Sequence, residues 1–305
     1  MNTSVTQRAC PVCGSPYANA SIFLEENLDH SKINAYSYAS RKNPEFMCHE
    51  LSRCNKCDLI FTGNPPSGEE LSENYHMASF DSLEEANDAS DTYGIALASL
   101  LQRLHRKNNA LEIGTGTGIF LEELKKQGFK NVAGVEPSLS AIEAAPKYRQ
   151  AWITHETFDP LTFKENSFDL VCCFMTLEHV FDPMEIAKES YNLLDYGGAV
   201  AFVVHDSNAW INKILGSKSP IIDIEHLQIF SKKSVTHLLK NSNFEEIIVR
   251  SFKNTYRLSY WIKLLPLPSI LKNILLKILA ITGLSKIKIS INVGNLLAYG
   301  IKKKL

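Results

Sequence analysis

The sequence predicts an α/β protein built on a doubly wound, largely parallel sheet, with a small cysteine-rich module in front of it. From about residue 108, short apolar strands alternate with amphipathic helices, and a glycine-rich loop joins the first of these strands to its helix. Two Cys-x-x-Cys pairs near the amino terminus predict the module. A chain of 305 residues, 45% of them hydrophobic, is long enough for an α/β domain with a sizeable hydrophobic core and a smaller module.

Residues 1–62 are the predicted module. Each Cys-x-x-Cys pair can present two thiolates on one tight turn, and four thiolates close a tetrahedral site for a structural Zn²⁺. The four predicted ligands are Cys10, Cys13, Cys54 and Cys57. Cys48 or His49 could replace one of them, or the pairs could be reduced cysteines packed as small apolar groups. No secretory signal stands in MNTSVTQRAC, which favours thiols or metal ligands over disulfides and predicts a cytoplasmic protein.

Residues 63–107 are predicted to connect the two parts. The stretch 63–68 contains two prolines and two glycines, as is typical of a linker, and polar helices with Tyr75 and Tyr93 follow.

Residues 108–305 are predicted to form the main domain. Its predicted strands are residues 110–113, 132–135, 151–154, 168–174 and 199–204, and its helices are residues 120–127, 140–148 and 183–194. Two further strands, residues 246–252 and 295–302, close the chain, and an apolar helical insert, residues 256–290, precedes the last of them. Cys172 and Cys173 lie within a predicted buried strand and are interpreted as core residues.

The glycine loop carries the strongest motif. After the strand ending at Ile113, glycines at positions 114, 116 and 118 allow a sharp turn and a close approach of the backbone to a ligand. An acid, Glu136, ends the next strand, where it could accept hydrogen bonds from the hydroxyls of a ribose. A dinucleotide-binding enzyme is the rival interpretation of such a loop.

The spacing of Glu112, Gly114, Gly116 and Gly118 resembles motif I of class I S-adenosylmethionine (SAM)-dependent methyltransferases, which implies a Rossmann-like sheet of seven strands. Phe168-Asp169-Leu170-Val171 and Leu193-Leu194-Asp195-Tyr196-Gly197-Gly198 resemble the fourth strand and the turn before the fifth in that family. The resemblance implies contacts to the methionine part, the ribose and the adenine of SAM. The implied residues are Glu112, Gly114, Thr115, Gly116 and Gly118 for methionine, and Glu136 for ribose. For adenine they are Pro137 and the turn His155-Glu156-Thr157, with Glu156 as the contact residue.

The acceptor would bind where open α/β sheets bind ligands, at the carboxyl ends of the strands. Histidine–acid pairs are predicted at that edge: Glu178-His179, His205-Asp206 and Glu225-His226. The chain also resembles bacterial sugar methyltransferases with an amino-terminal zinc module. That resemblance implies that His226 is the general base, that Glu225 orients it, and that Tyr75 and His179 bind the acceptor. His205 is the weaker candidate, and His226 could instead belong to a common His-Leu-x-x-Phe-Ser helix approach.

Two departures from these families limit the resemblance. Ubiquinone-pathway O-methyltransferases bind a divalent ion through an additional glutamate that here is Met175, which argues against a catalytic metal. The long carboxyl-terminal domain of the sugar carbon-methylating enzymes is missing, which favours O-methylation. The predicted acceptor is a sugar, sugar nucleotide or lipid-linked glycan, with phosphate as a further recognisable group. A quinone or phenolic precursor, RNA and a non-catalytic cofactor-binding scaffold are the alternatives.

The charge is divided unevenly along the chain. Residues 247–305 contain no acid but eleven bases, which predicts an anionic partner or a basic surface that answers the acidic body. The eleven are Arg250, Lys253, Arg257, Lys263, Lys272, Lys277, Lys286, Lys288, Lys302, Lys303 and Lys304. In the insert, paired apolar residues and lysines on opposite faces predict a helix that packs on its own domain, in a homodimer, or on the inner face of a membrane. The sequence shows no pattern of aromatic and basic residues of the kind that favours nucleic-acid binding.

Overall fold

The computed structural model describes residues 7–34, 37–38, 45–77 and 83–303. Lys304, one of the eleven bases, and the first six residues lie outside them. The strands of the described chain are β1 (Ala20–Leu24), β2 (Leu51–Cys54), β3 (Ile60–Phe61), β4 (Asn109–Ile113), β5 (Asn131–Glu136), β6 (Ile153–His155), β7 (Phe168–Phe174), β8 (Leu194–His205), β9 (Gln228–Ile229), β10 (Glu245–Arg257) and β11 (Lys288–Ile301).

The α-helices of the same residues surround two sheets. They are α1 (Gly68–Met77), α2 (Leu83–Arg103), α3 (Ile119–Lys126), α4 (Leu139–Glu143), α5 (Lys147–Gln150), α6 (Pro183–Leu193), α7 (Trp210–Leu215), α8 (Lys232–Asn241), α9 (Leu258–Leu264) and α10 (Ser269–Ile281).

The predicted seven-stranded sheet is confirmed, with the order β10-β11-β8-β7-β4-β5-β6. The five strands from β8 to β6 are parallel, and β11 and β10 join antiparallel at one edge. Every residue of β7 is buried, because helices cover both faces of a parallel sheet. The chain order reverses between β4 and β7, and this reversal opens a crevice outside their carboxyl ends.

One predicted helix is broken in the structure. Residues 140–148 form two short helices, α4 and α5, on either side of Pro146. Proline lacks the N–H that a continuous helix needs, and it disfavours helical backbone in the residue before it. The following strand also starts later than predicted, because the Trp152 N–H bonds to the Arg149 carbonyl in a turn and β6 runs from Ile153 to His155.

The insert is shorter than the predicted 256–290, because both flanking strands continue into it. β10 and β11 pair from Glu245↔Ile301 as far as Arg257↔Lys288, and they form a two-stranded ribbon that carries α9 and α10 at its end. No helix of the described residues is long and apolar enough to cross a membrane.

The cysteine-rich module and the main domain share structure. The small sheet has the order β1-β2-β3-β9, and its last strand comes from residues 228–229, far along the chain. The segment predicted as a linker is likewise part of the main core. On α2, Tyr93 packs edge-on against Phe120 and Phe174, with ring centroids 6.4 and 5.1 Å away.

Candidate active site

A cavity of about 790 Å³ lies at the carboxyl ends of the parallel strands. The glycine loop after β4 and the end of β5 line one half of it, which we call the cofactor half. The loops after β7 and β8, together with α1, β10, β11 and α9, line the other, which we call the acceptor half. The crevice expected from the strand order is therefore present, and the predicted site residues can be placed in it.

The glycine loop turns back over the end of β5. The N–H groups of Gly114 and Thr115 both bond to the Val135 carbonyl, at 3.0 and 3.1 Å. Gly114 and Gly116 have φ of +74° and +56°, values that favour glycine. A Cβ at Gly114 would lie 2.4 Å from the Thr176 hydroxyl oxygen, whereas one at Gly116 would meet nothing within 4 Å. Gly114 is thus needed for packing, and Gly116 lies beside open space in the cavity.

Glu136 is held in place by the backbone on both sides of it. Its Oε2 accepts the Gly116 N–H at 2.7 Å and its Oε1 accepts the Ser138 N–H at 2.9 Å. The carboxylate is buried, and burial raises the pKa of Glu136 above its usual value. A carboxylate has about four acceptor positions, so it can still accept hydrogen bonds from two ribose hydroxyls.

Most of the other predicted cofactor residues also lie at the cavity. Glu112, Thr115 and Pro137 line it, and the Thr115 hydroxyl donates to the Glu112 carboxylate at 2.5 Å. Gly118 is not among the described lining residues; it is the N-cap residue directly before α3, with φ of +65°.

Of the predicted adenine turn, Thr157 lines the cavity, together with Phe158 after it, whereas Glu156 does not. The role of Glu156 in cofactor binding stays a prediction. β6 ends one residue later than predicted, at His155, which moves the turn along the chain.

These residues fit the cofactor that the sequence predicts. An open glycine cradle at Gly116, a fixed and buried carboxylate at Glu136 and lining residues on the adenine side, such as Phe158, lie along one half of the cavity. Its volume is that of a site for a molecule of cofactor size.

The acceptor half brings together residues that lie far apart in the sequence. Tyr75 comes from α1, His179 from the loop after β7, and Glu225 and His226 from the segment before β9. The ring centroids of Tyr75 and His179 are 6.0 Å apart, and those of His179 and His226 are 4.8 Å apart. One donor atom each from His179, Glu225 and His226 lies within 4.8 Å of the others. All four of the predicted acceptor-side residues therefore line the same part of the cavity.

Hydrogen bonds to backbone carbonyls orient the two histidines. His226 Nδ1 lies 2.9 Å from the Ile221 oxygen, and His179 Nδ1 lies 3.2 Å from the Glu225 oxygen. Because a carbonyl oxygen can only accept, each Nδ1 carries the hydrogen and each Nε2 keeps its lone pair. Burial, reinforced by His179 and His205, lowers the pKa of His226 to about 4, and burial also lowers that of His179. Both rings are neutral at pH 7.

Unlike the two histidines, whose Nε2 atoms keep a lone pair, Tyr75 offers a hydrogen-bond donor. Its hydroxyl is buried and has no hydrogen-bond partner among the described residues. Burial, together with the nearby charge of Glu225, raises the pKa of Tyr75 well above its usual value. The hydroxyl is therefore protonated and can donate to a bound molecule.

A second histidine–acid pair, Glu178 and His205, lies next to these residues. Glu178 is fully buried, and its Oε1 accepts the His205 backbone N–H at 2.7 Å and lies 3.3 Å from His205 Nδ1. Burial opposes ionisation, but the contact with His205 and the proximity of His226 outweigh it and lower the pKa of Glu178. Met175, at the start of this loop, has φ of +53°, a strained value for a non-glycine residue that is often found at functional sites.

Sequence reasoning missed the polar residues that the terminal strands contribute. Asn254 on β10 and Asn295 on β11 are buried and line the acceptor half, and Asn254 Oδ1 has no partner among the described residues. Tyr256, Tyr260 and Trp261 add an aromatic group. The asparagines in these two strands were the available signal, because buried polar side chains need a partner.

The four cysteines of the module lie together. The sulfurs of Cys10 and Cys57 are 3.5 Å apart, as are those of Cys13 and Cys54, and all four lie within 4.8 Å of one another. Tetrahedral Zn–S bonds of about 2.3 Å would place the sulfurs about 3.8 Å apart, so the cluster fits a zinc ion. Cys48 and His49 are not part of this cluster. Cys172 and Cys173 are fully buried in β7, as expected of core residues.

The sequence is similar to those of known methyltransferases. Over 166 residues the chain is 26% identical to malonyl-(acyl-carrier protein) O-methyltransferase 1 of Ilyobacter polytropus, covering 49% of this chain and 59% of that protein. Over 117 residues it is 32% identical to a ubiquinone biosynthesis O-methyltransferase of Coxiella burnetii, covering 36% and 50%. The chain thus spans between half and three fifths of the length of these curated relatives.

Structural and family matches locate the shared part. The YcgJ protein of Bacillus subtilis superposes with a TM-score of 0.50 at 16% identity, over 69% of this chain and 99% of that one, which shows a common fold. Residues 88–248, more than half of the chain, match the family described as Methyltransferase domain (Methyltransf_23). The chain therefore belongs to this methyltransferase family.

Proposed function

We propose that this enzyme methylates a hydroxyl group of a small, polar, sugar-based acceptor, with His226 as the general base. One observation carries the proposal: Tyr75, His179, Glu225 and His226 surround the same cavity that contains the glycine loop and Glu136. The sugar methyltransferases that the sequence resembles use this set of residue types in the same order along the chain. The names of the curated relatives, both O-methyltransferases, support oxygen as the methylated atom.

The chemistry assigned to the chain is positioning and proton removal. SAM, when bound, supplies an electrophilic methyl group, and a hydroxyl attacks it well only as its proton leaves. The Nε2 lone pair of His226 is available for that proton, since Nδ1 is committed to the Ile221 carbonyl. The Tyr75 hydroxyl can donate to a neighbouring oxygen of the acceptor, and the Asn254 side chain offers a buried acceptor atom.

The polarity of the acceptor half favours a sugar. Tyr75 and Asn254 each present a buried polar atom without a partner among the described residues, and both line the cavity that also contains the two neutral histidines. Unpaired buried polar atoms are costly, and an acceptor with several hydroxyls would satisfy them. A donor and an acceptor in the same cavity suit a polyol better than a flat hydrocarbon ring.

The test is release of S-adenosylhomocysteine with a panel of acceptors. We would compare sugar nucleotides, lipid-linked sugars, quinone precursors, acyl-carrier-protein thioesters and bulk RNA at equal SAM concentration. Turnover with a sugar-containing acceptor, lost in the His226→Ala variant, is expected. Turnover restricted to any other class, or activity indifferent to His226, would contradict the proposal.

Methylation of a quinone or phenolic precursor is the second candidate, favoured by the name of the Coxiella burnetii relative. The apolar group of Tyr256, Tyr260 and Trp261 could contact an aromatic acceptor. Met175, where the ubiquinone-pathway enzymes have an acid, weighs against it. The same panel separates the two candidates, because a phenolic acceptor would be methylated without a sugar.

We further propose that the four-cysteine cluster holds a structural zinc ion. Metal analysis of the purified chain should give about one zinc per molecule. Cys54→Ser should lose the ion, whereas Cys48→Ser, which changes a buried cysteine outside the cluster, should keep it. His226→Ala should also keep it. A zinc content that follows His226 rather than Cys54 would move the metal to the acceptor half and refute both assignments.

A further inference from the structure

The end of the β10–β11 ribbon connects the cavity to an exposed apolar surface. Residues of α9 and the turn after it, among them Ile262, Leu265 and Pro266, line the acceptor half. Leu265 is also 42% exposed, so the apolar wall of the cavity continues to the outside of the molecule there. The chain then enters α10, which lies beyond the cavity.

The outer side of α10 is apolar. All but four of its thirteen residues are apolar, and none of them is buried. Ile270, Ile274, Ile278 and Ile281 fall on one stripe at helical spacing and are 75, 49, 50 and 86% exposed. Leu284 and Ile287 shortly after the helix are also apolar and exposed. A helix that packs only on its own domain would turn such a stripe inward, so packing does not explain this face.

The basic residues near the stripe divide into two groups. Arg257, Lys263 and Lys288 pair with acids of α2, namely Glu84, Glu85 and Asp88. That part of the basic surface answers the acidic body, as one of the two sequence interpretations expected. Lys277 and Lys286 are exposed and have no ion-pair partner in the described part of the chain.

We propose that this surface docks the enzyme on an anionic lipid membrane. We name it the insert face and define it as Ile270, Ile274, Ile278, Ile281, Leu284 and Ile287 with Lys277 and Lys286. An apolar stripe flanked by lysines lies in the plane of a lipid surface, with its side chains among the acyl chains and its lysines near the headgroups. The membrane then lies next to the rim of the cavity at Leu265.

Charge favours a lipid surface over a second copy of the chain. Residues 247–305 carry no acid, so two insert faces packed symmetrically would bring lysines toward lysines without a compensating carboxylate from this segment. Anionic headgroups supply the opposite charge. The proposal goes beyond the assigned reaction, since it does not depend on which acceptor is methylated.

The test is sedimentation of the full chain with vesicles. We would use vesicles of phosphatidylcholine mixed with phosphatidylglycerol, and pure phosphatidylcholine as reference. We expect binding to the anionic vesicles, weakened by salt. The Ile274→Glu/Ile278→Glu variant should reduce the partition coefficient at least about tenfold. Lys277→Glu/Lys286→Glu should reduce it at least about 30-fold, since two lysines near the surface together contribute about 2 kcal/mol.

Matched controls separate docking from general effects. Ile95 on α2 is 78% exposed but isolated from the insert face, and Ile95→Glu should bind vesicles like the wild type. Lys147→Glu, an exposed lysine on α5, controls for net charge. All variants should bind SAM with unchanged affinity in calorimetry. This measurement tests the cofactor site independently of vesicle binding, so a failure of the proposed function and a failure of membrane docking can be told apart. Absence of vesicle binding at low salt, binding unaffected by Ile274→Glu/Ile278→Glu, or a dimer that this variant dissociates would each overturn the proposal.

Discussion

The cofactor half and the acceptor half of the cavity lie at the same edge of the sheet, but they are assembled from the chain in different ways. Residues 112–117 and Glu136 build most of the cofactor half, and backbone hydrogen bonds from Gly116 and Ser138 fix its key carboxylate. The acceptor half takes Tyr75, His179, His226 and Asn254 from four separate segments. Local backbone geometry thus determines the shape of the cofactor half. The acceptor half depends on side chains that long-range packing brings together. Substitutions should therefore separate the two halves experimentally.

The largest expected effect is on the cofactor half. Gly116→Arg places a side chain into the open space of the loop and should weaken SAM binding more than about 1000-fold, or about 4 kcal/mol. Isothermal calorimetry measures this directly. Gly197 has φ of +81° and equally open surroundings but lies outside the cavity, so Gly197→Arg carries a similar backbone strain. Unchanged affinity in Gly116→Arg, or equal losses in both variants, would refute the loop assignment.

A smaller effect, confined to turnover, is expected in the acceptor half. His226→Ala should lower kcat about 100-fold, at the low end for general bases because a pKa of about 4 makes the imidazole a weak base. Cofactor affinity should not change, which would separate the halves. His105→Ala, an exposed histidine outside the cavity, is the control. A kcat within twofold of the wild type on the true acceptor would remove His226 from the mechanism.

Tyr75 should show a still smaller effect, on acceptor binding. Tyr75→Phe removes one donor and should raise the KM for the acceptor about fivefold, equivalent to about 1 kcal/mol. Because the Tyr75 hydroxyl has no partner among the described residues, its removal should not lower the melting temperature. Tyr17→Phe is the contrasting variant, since the Tyr17 hydroxyl bonds to Glu50 and Ser52 at 2.8 and 2.7 Å. That variant should lose stability, and a loss of the same size in Tyr75→Phe would show a structural role.

A pH dependence of stability is also expected from His226 in the acceptor half. The folded pKa of His226 is about 4, and an unfolded histidine has a pKa of about 6.5. Between these values the unfolded chain binds more protons, so stability falls as the pH is lowered from 6.5 toward 4. The contribution of this group is at most about 1.4 kcal/mol per pH unit. His226→Gln should flatten the dependence measured by urea unfolding, and an unchanged slope would contradict the buried neutral imidazole.

The sequence predicted the sheet because its strands are buried on both faces and appear as apolar runs. β7 is predicted with its observed ends, whereas β6 is displaced by the turn around Trp152. Because of that displacement, the end of the predicted adenine turn, at Thr157, lines the cavity with Phe158, whereas Glu156 does not. Pro146 was visible in the sequence, and its effect on the helix could have been predicted from proline chemistry alone.

What the sequence determined by itself is local: the glycine loop, the carboxylate 20 residues after Gly116, and the two cysteine turns. Each depends on the backbone preferences of a few neighbouring residues. Only the tertiary structure decided that β9 completes the small sheet, that Asn254 and Asn295 enter the cavity, and that the apolar stripe of α10 faces outward. These outcomes depend on contacts between distant segments, since hydrophobic periodicity shows which face of a helix is apolar but not what that face contacts.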